Sequence, residues 1–516
     1  MLIDKRKALI SVSDKAGVVE LAADLTQLGF EIIATGGTAL TLRDAGLTVT
    51  DVSSVTGFPE ILGGRVKTLH PAIHAAILAR IDQEDQRQEL RDLGIRPIEL
   101  VVVNLYPFEQ TIAREGVELA EAVENIDIGG PTMLRAAAKN HANVAVVVNP
   151  ERYGEVLNEL KSKGSISSAI RLSLAAETFR HTAGYDTAIA AYFKTLPEAS
   201  VEQYPNRLSI TFNKIQNLRY GENPQQEAAF YAATGKPAGL AAAEQFQGKE
   251  LSFNNLNDLN AAWELVSEFK NPTAVAVKHA NPCGVGSALT LAEAYRLAFE
   301  ADPVSIFGGV VALNRAVDAA TAAQLSKIFL EVIAAPQFTE DAVAVLEQKK
   351  DIRLLQMDAV LTEKDRYDIK KIAGGLLLQS IDAEPVAVRK GAVVTARVPS
   401  EAEWEALSFA QTVVKHVRSN AIVIAGSGQT YGIGAGQMSR IGAARIALNQ
   451  AGKKALGAAL GSDAFFPFPD TVVEAARAGV KAIVQPGGSL KDQETIEVCD
   501  RLGLTMVLTG RRYFKH

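Results

Sequence analysis

Short apolar runs and amphipathic stretches alternate along the first 150 residues. ALISV (8–12) predicts a strand, GVVELAADLTQLG (17–29) an amphipathic helix, FEIIA (30–34) a strand and TALTLRDAG (38–46) a helix. ELVVVN (99–104) and NVAVVV (143–148) are continuous apolar runs, as suits strands buried on both faces. This alternation predicts a parallel α/β sheet. A helical stretch follows over about 165–194. TLPEASVEQYPNRL (195–208) then mixes proline, charge and polar residues without period and reads as a linker, so the expected domains are 1–199 and 200–516. Beyond it PTAVAVK, SIFGGVVAL, NAIVIA and KAIVQP again alternate with Ala-rich helical patterns, so the second part is α/β too, long enough for two subdomains. No short-period repeat is visible.

Composition narrows the class. A net charge of −6 over 516 residues argues against a general nucleic-acid binder but leaves room for a local cationic pocket. Two cysteines, Cys283 and Cys499, make no disulfide framework and fit a reducing compartment. The apolar run at the N-terminus is too short for a signal-peptide core, and no run approaches the length of a membrane span. The expected location is the cytoplasm.

Several stretches carry candidate chemistry. AVKHANPCG (276–284) sets Lys278 beside His279 at the end of a strand. Neighbouring strand residues point to opposite faces, so the two serve one site only if the chain turns there, and Asn281-Pro282 and Cys283-Gly284 are the expected turn. Alone, the pair reads as a solvated strand end. Pro282-Cys283 hints at a zinc deaminase, but Gly286 stands where a second cysteine belongs and Asn281 where the glutamate of HxE belongs. His70 and His74 have i, i+4 spacing, yet Pro71 replaces the glutamate of a zinc-protease helix. No metal is expected. ATGGT (34–38) and SVSDK (11–15) each join a strand to a helix, where freed N–H groups form an anion site; the plain alternative is a turn with an N-cap. GGRVKTLHP (63–71) and IDIGGPTMLRAAAKNH (126–141) add charged groups. GIGAGQMSR (432–440) has Gln437 where a dinucleotide fingerprint needs its third glycine. SDAFFPFPD (462–470) reads as core packing or as a wall for a flat heteroaromatic ligand.

SVSDK, ATGGT, GGRVKTLHP, NLYPF, IDIGGPTMLRAAAKNH, LRYGENPQQ, VKHANPCG, GIGAGQMSR and SDAFFPF, taken in order, resemble a bifunctional purine-biosynthesis family with AICAR formyltransferase and IMP cyclohydrolase activities. The resemblance spans nearly the whole chain. It implies an N-terminal methylglyoxal-synthase-like domain, its core about 1–146, and a C-terminal formyltransferase domain of two cytidine-deaminase-like subdomains without zinc. It also implies 10-formyltetrahydrofolate as co-substrate, no tightly bound cofactor, a purine ribotide substrate and a homodimer.

The resemblance further assigns residues. His279 matches the general base of formyl transfer, Lys278 the group that stabilises the oxyanion or assists the folate nitrogen, and Asn420 an orienting amide. Arg219, Tyr220 and Arg512 match the 5′-phosphate contacts. Phe307, Gly308, Phe465, Asp470, Arg440 and Ser489 match positions around base and folate. Glu331 stands where the family pattern has an aspartate. In the cyclohydrolase domain Lys139 matches the residue assigned proton transfer. Tyr106 and Asp127 match side chains lining the site, and Lys67, Arg65, Thr68 and Ile128 match substrate contacts. Ser13, Asp14, Lys15, Thr35, Gly36, Gly37, Thr38 and Asn104 complete the implied nucleotide cradle.

Overall fold

The alternating runs near the N-terminus become a five-stranded sheet in this computed structural model, which describes residues 6–114, 116–196, 202–233, 238–358 and 367–516. Its strands are β1 (Arg6–Val12), β2 (Phe30–Ala34), β3 (Val49–Asp51), β4 (Leu100–Asn104) and β5 (Ala145–Val147), ordered β3-β2-β1-β4-β5. Every pair is parallel. The middles of β1 and β2 and the whole of β5 are apolar because both faces are covered. Leu9, Ile33, Val101 and Val146 face one core with Met133, Leu134 and Tyr185, whereas Ala8, Ile10, Ile32 and Val102 face another with Leu21, Leu42 and Val156. The chain runs outward from β1 to β3 on one side and resumes at β4 on the other. The carboxyl ends of β1 and β4 therefore flank a switch point, where open α/β sheets hold ligands.

The described residues form two compact units that part between Asn213 and Lys214. The boundary expected at 199/200 falls among residues 197–201, outside the described residues. The helix expected over 165–194 is Ser168–Phe193.

Two hairpins of the chain pair only with themselves, β6 (Phe212–Leu218) with β7 (Ala228–Ala233) and β14 (Tyr367–Ile372) with β15 (Gly375–Ser380). The second unit is otherwise built on a twelve-stranded sheet among the described residues. One half holds β8 (Glu244–Gln247), β9 (Thr273–Lys278), β10 (Asn281–Ser287), β11 (Val310–Leu313), β12 (Val332–Ala335) and β13 (Arg353–Gln356). The other holds β16 (Ala392–Val393), β17 (Ile422–Gly426), β18 (Gln429–Gly434), β19 (Ala459–Ser462), β20 (Ala482–Gln485) and β21 (Thr505–Leu508). The order is β16-β21-β20-β19-β17-β18-β10-β9-β11-β12-β13-β8. Read outward from the centre, the two halves repeat one plan: a hairpin, then three helix–strand steps, then an edge strand that entered first. They meet at the antiparallel pair β10–β18.

Glycines set the depth of that centre. On β10, side chains at Gly284 and Gly286 would run into the carbonyl oxygens of Ala298 and Ala294, in the helix Leu291–Ala301. On β18, Gly432 and Gly434 stand in the same relation to Ala447 and Ala443, in the helix Arg440–Ala451. The glycine-rich GIG is thus a strand against which a helix backbone packs directly. On the opposite face the helices Phe253–Ser267 and Glu401–Val414 share one core, with Trp263, Val275, Val277, Val413 and Val423.

Both tryptophans, Trp263 and Trp404, lie in this second unit. Gly434→Ala is expected to destabilise it by about 3 kcal/mol, the cost of forced overpacking in a closed core. Tryptophan fluorescence followed through denaturant unfolding checks this; an unchanged midpoint would contradict the close packing.

Candidate active sites

In the first unit the switch point opens into a cavity of about 750 Å³. Asn104, at the end of β4, accepts the N–H groups of Ser13 (2.5 Å) and Asp14 (2.9 Å) and so ties the loop after β1 to its neighbour strand. The Thr38 hydroxyl accepts the N–H of Val12 at 3.1 Å and receives the Lys15 ammonium at 3.0 Å. Burial pushes the Lys15 ammonium below its ordinary pKa, against the opposing pull of Asp14. No side chain caps the helix Gly36–Asp44, and Gly36 and Gly37 line the cavity at its N-terminus, which suits a phosphate. Gly36 has φ +42, and a side chain there would come 3.4 Å from the Lys67 ammonium.

The facing wall carries Arg65, Lys67, Thr68, Tyr106, Asp127 and Ile128. Lys67 pairs with Glu60 at 3.0 Å and Arg65 with Glu124. The Gly-Gly of IDIGGP is demanded by close approach: a Cβ on Gly129 would lie 2.8 Å from the Thr68 hydroxyl, and one on Gly130 would lie 2.5 Å from the Asp127 carboxylate. Asp127 is fixed at its N–H by the Tyr185 hydroxyl (2.9 Å) and accepts the Gly130 N–H at 2.8 Å. Burial raises its pKa above the ordinary carboxylate value, with the backbone bonds of Gly130 and Tyr106 opposing. A carboxyl of raised pKa inside a cavity can hold and return a proton.

Of the residues expected at this site, all but Asp14 and Lys139 line the cavity. Asp14 accepts the N–H of Ala16 at 2.9 Å. Lys139 ends the helix whose first residues, Gly129 and Gly130, form the wall. At 1.5 Å per residue it stands roughly 15 Å along the axis from Gly129, exposed, so the expected proton-transfer lysine is not among the groups gathered here.

In the second unit Lys278 and His279 line one cavity of about 510 Å³. The expected turn through Asn281-Pro282 and Cys283-Gly284 is corrected by the backbone. NPCG begins strand β10, with an irregularity between Pro282 and Gly284, and Lys278 pairs directly with Asn281. The turn is His279-Ala280, with φ +55 and +56. Two central residues at positive φ are the pattern of a type I′ hairpin, which normally takes Asn-Gly. For residues with a Cβ this costs about 1–2 kcal/mol each. The twist carries His279 out of strand alternation, so it shares a cavity with the last strand residue, Lys278. The Lys278 ammonium donates to the Phe307 carbonyl at 2.8 Å.

Asn281 bridges the halves: its Oδ1 accepts the Arg418 N–H at 3.0 Å, and its amide donates to the His279 carbonyl at 3.2 Å. Asn420 follows on that segment. Its Oδ1 accepts from Arg440 at 2.8 Å and its amide donates to the Gln437 carbonyl at 2.8 Å. Arg440, expected beside base and folate, is turned inward instead. Its guanidinium is buried, bound to the fully buried Asp463, the Ala421 carbonyl and Asn420. It positions Asn420.

The remaining expected groups are spread over the surface of this unit. Arg219 stacks on Tyr220 at 4.8 Å, and Arg512 on Phe514 at 4.4 Å. Phe307 is 57% exposed, Phe465 is 38% exposed, and Asp470 is exposed at the start of its helix. Gly308 has φ +68 and donates its N–H to the Phe329 carbonyl. Glu331 is held by Arg353 at 2.7 Å. The Ser489 hydroxyl accepts the Lys491 N–H. None of these lines the cavity around Lys278 and His279. Asp258, Asp302 and Gln450 were not legible as site residues: Asp258 holds the His279-Ala280 turn, and Gln450 joins Asp302 to the Ile433 N–H. Burial pushes the Cys283 thiol up to about 12, and its Sγ donates to the Ala276 carbonyl. Among the described residues no three His, Cys, Asp or Glu side chains gather as a metal site, and no helix is long and apolar enough to cross a membrane.

Two α/β units, each with its own cavity and its own set of reactive groups, define a two-site enzyme of small molecules. A family model described as the AICARFT/IMPCHase bienzyme matches residues 137–450, and one for the MGS-like domain matches 17–132. Bifunctional purine biosynthesis protein PurH is 52% identical in Acetivibrio thermocellus, 55% in Anoxybacillus flavithermus and 54% in Bacillus subtilis, each over 99% of this chain and 99–100% of the relative. A solved structure described as the crystal structure of ForH matches 36% of this chain and 96% of its own at 39% identity, with a TM-score of 0.34. The chain belongs to the AICARFT/IMPCHase bienzyme family.

Arg440→Met is expected to lower formyl transfer by about tenfold through the loss of Asn420 positioning, and to destabilise the unit by about 3–5 kcal/mol by stranding Asp463. Steady-state kinetics and tryptophan-monitored unfolding check the two halves of this expectation.

Proposed function

We propose that the two activities of this bifunctional enzyme divide between the two units. The second transfers the formyl group of 10-formyltetrahydrofolate to the 5-amino group of 5-aminoimidazole-4-carboxamide ribotide. The first closes the formylated product to IMP with loss of water. The observation that carries this is the pair of separate cavities, one lined by Lys278 and His279 and the other by Lys67 and Asp127.

An amine conjugated with an imidazole carboxamide is a weak nucleophile, so its attack on the formyl carbon needs a base. His279 takes the amine proton, Lys278 faces the oxygen on which negative charge develops, and the folate nitrogen leaves as it is protonated. Asn420 orients the substrate. In the first unit the carboxamide nitrogen attacks the formyl carbon, giving a carbinolamine. Its hydroxyl leaves as water on receiving a proton, and the ring nitrogen gives one up. Asp127, with its raised pKa, is suited to that exchange, and Lys67 to the formyl oxygen. Both stand in the cavity, whereas Lys139 does not, so the reading favours them. The loops after β1 and β2 hold the 5′-phosphate.

Phe307, Phe465, Asp470, Arg219 and Arg512 are assigned to ribotide and folate. Their exposure outside the Lys278 cavity supports a site completed by a second copy of the chain. The protein is thus a homodimer working in the cytoplasm, where Cys283 and Cys499 remain free thiols. Sedimentation velocity is expected to give two chains per particle; a fully active monomer would refute this assembly.

His279→Ala should lower formyl transfer by about 10²–10⁴-fold and leave closure of supplied formylated ribotide intact. Lys67→Ala should lower closure by on the order of a hundredfold and spare transfer, while Lys139→Ala should leave closure within about threefold of the parent chain, as expected of an exposed lysine that does not line the cavity. Separate assays of the two steps decide; loss of both activities in folded His279→Ala would break the division.

A further inference from the structure

We infer that Asp258 is the positioning residue of formyl transfer: its carboxylate holds the His279-Ala280 turn in the strained conformation that puts His279 beside Lys278. This rests on the reading of His279 as the base.

The turn cannot hold itself. Two consecutive residues with side chains sit at φ +55 and +56, where glycine is normally required. Their N–H groups point away from the ladder and find no carbonyl within the hairpin. Asp258 takes both: Oδ2 accepts the His279 N–H at 3.2 Å and Oδ1 accepts the Ala280 N–H at 2.7 Å. One oxygen serves each donor, so the carboxylate fits the turn as a two-pronged anion, and bonds to an ionised acceptor are the strong kind.

Asp258 is itself rigidly placed. It lies in the second turn of the helix Phe253–Ser267, which opens with a reciprocal cap between Ser252 and Asn255. The residue after it, Leu259, and then Ala262 and Trp263 are buried in the core that also holds Val275 and Val277 of β9. The helix that carries the carboxylate and the strand that delivers Lys278 are therefore packed as one body. Asn281 holds the other end, donating to the His279 carbonyl. Without Asp258 the turn has no anchor for its two N–H groups and relaxes toward ordinary φ, swinging the imidazole out of the cavity.

The test compares four variants of the full-length chain in both assays: Asp258→Ala, Asp258→Asn, Ala280→Gly and the double variant Asp258→Ala/Ala280→Gly. Asp258→Ala is expected to lower kcat of formyl transfer by on the order of a hundredfold, with KM for ribotide and folate moved by less than about threefold, since no ligand contact is removed. Asp258→Asn keeps one acceptor oxygen and should fall between. Ala280→Gly should stay close to the parent chain. The double variant should recover about tenfold of the lost kcat, because glycine enters the left-handed region without strain. Closure of supplied formylated ribotide, in the other unit, should be unchanged throughout.

A wild-type kcat in Asp258→Ala overturns the proposal, as does a double variant that folds and recovers nothing. If Asp258→Ala alone fails to fold, Asp258→Asn with and without Ala280→Gly applies the same two criteria. His279→Ala run alongside separates the two ideas. An active His279→Ala refutes the base assignment, whereas an inactive His279→Ala with a fully active Asp258→Ala refutes only the positioning role.

Discussion

Backbone-to-backbone packing at the centre of the large sheet is the constraint on which the second unit depends. β10 and β18 meet there, and each accepts a helix so closely that only glycine fits at Gly284, Gly286, Gly432 and Gly434. That depth brings the start of β10, and with it the Lys278-His279 corner, against the cavity wall supplied by Ile433 and Ala435 of the other half and by Ile446, Asn449 and Gln450 of its helix. One half of the sheet supplies the reactive pair and the other half supplies the wall.

Buried charge then locks the periphery to this centre. Arg440 and Asp463 lie almost wholly out of water, which is tolerable because each has several partners: Asp463 also accepts from Ser419 (2.5 Å) and from the Ala421 N–H (3.1 Å). The C-terminal tail joins the same knot, the Tyr513 N–H on the Asp463 carbonyl and the Lys515 ammonium on Glu264 at 2.8 Å. Nearby, burial pushes the Glu268 carboxyl up, but bonds from His416 and Lys415 outweigh it and hold its pKa below the ordinary value. A depressed carboxylate adds stability above the usual carboxylate range and loses it as pH falls through the folded value. The tie that Glu268 makes with Lys415 and His416 thus weakens in acid.

Much of this was legible in the residues. Continuous apolar runs marked the parallel strands, because a strand covered on both faces leaves no polar alternation. The loops SVSDK and ATGGT were readable as candidate anion loops because both join a strand to a helix, and the structure brings them to one cavity. The His279-Ala280 turn was misplaced onto NPCG because local turn chemistry pointed to Pro and Gly. The deciding group, Asp258, lies twenty-one residues away in a helix that nothing local marks. Arg440 was placed beside base and folate by the resemblance alone; Asp463, from a distant loop, holds its guanidinium. The two-subdomain plan of the second unit came from its length and from the resemblance, not from a repeat visible in the residues. Its halves share backbone order and paired glycines without a short sequence period.

That duplication allows the same hairpin to be compared with itself. In the second half the corner between β17 and β18 is Ser427-Gly428, where glycine takes φ +87 at no cost and its carbonyl accepts the Ser287 N–H at 2.8 Å, stitching the two halves together. In the first half the equivalent corner carries an imidazole in a conformation that glycine would occupy more comfortably. The relaxed corner is a seam; the strained one is an instrument. A repeated architecture can in this way keep one copy of an element for cohesion while the other is bent to chemistry.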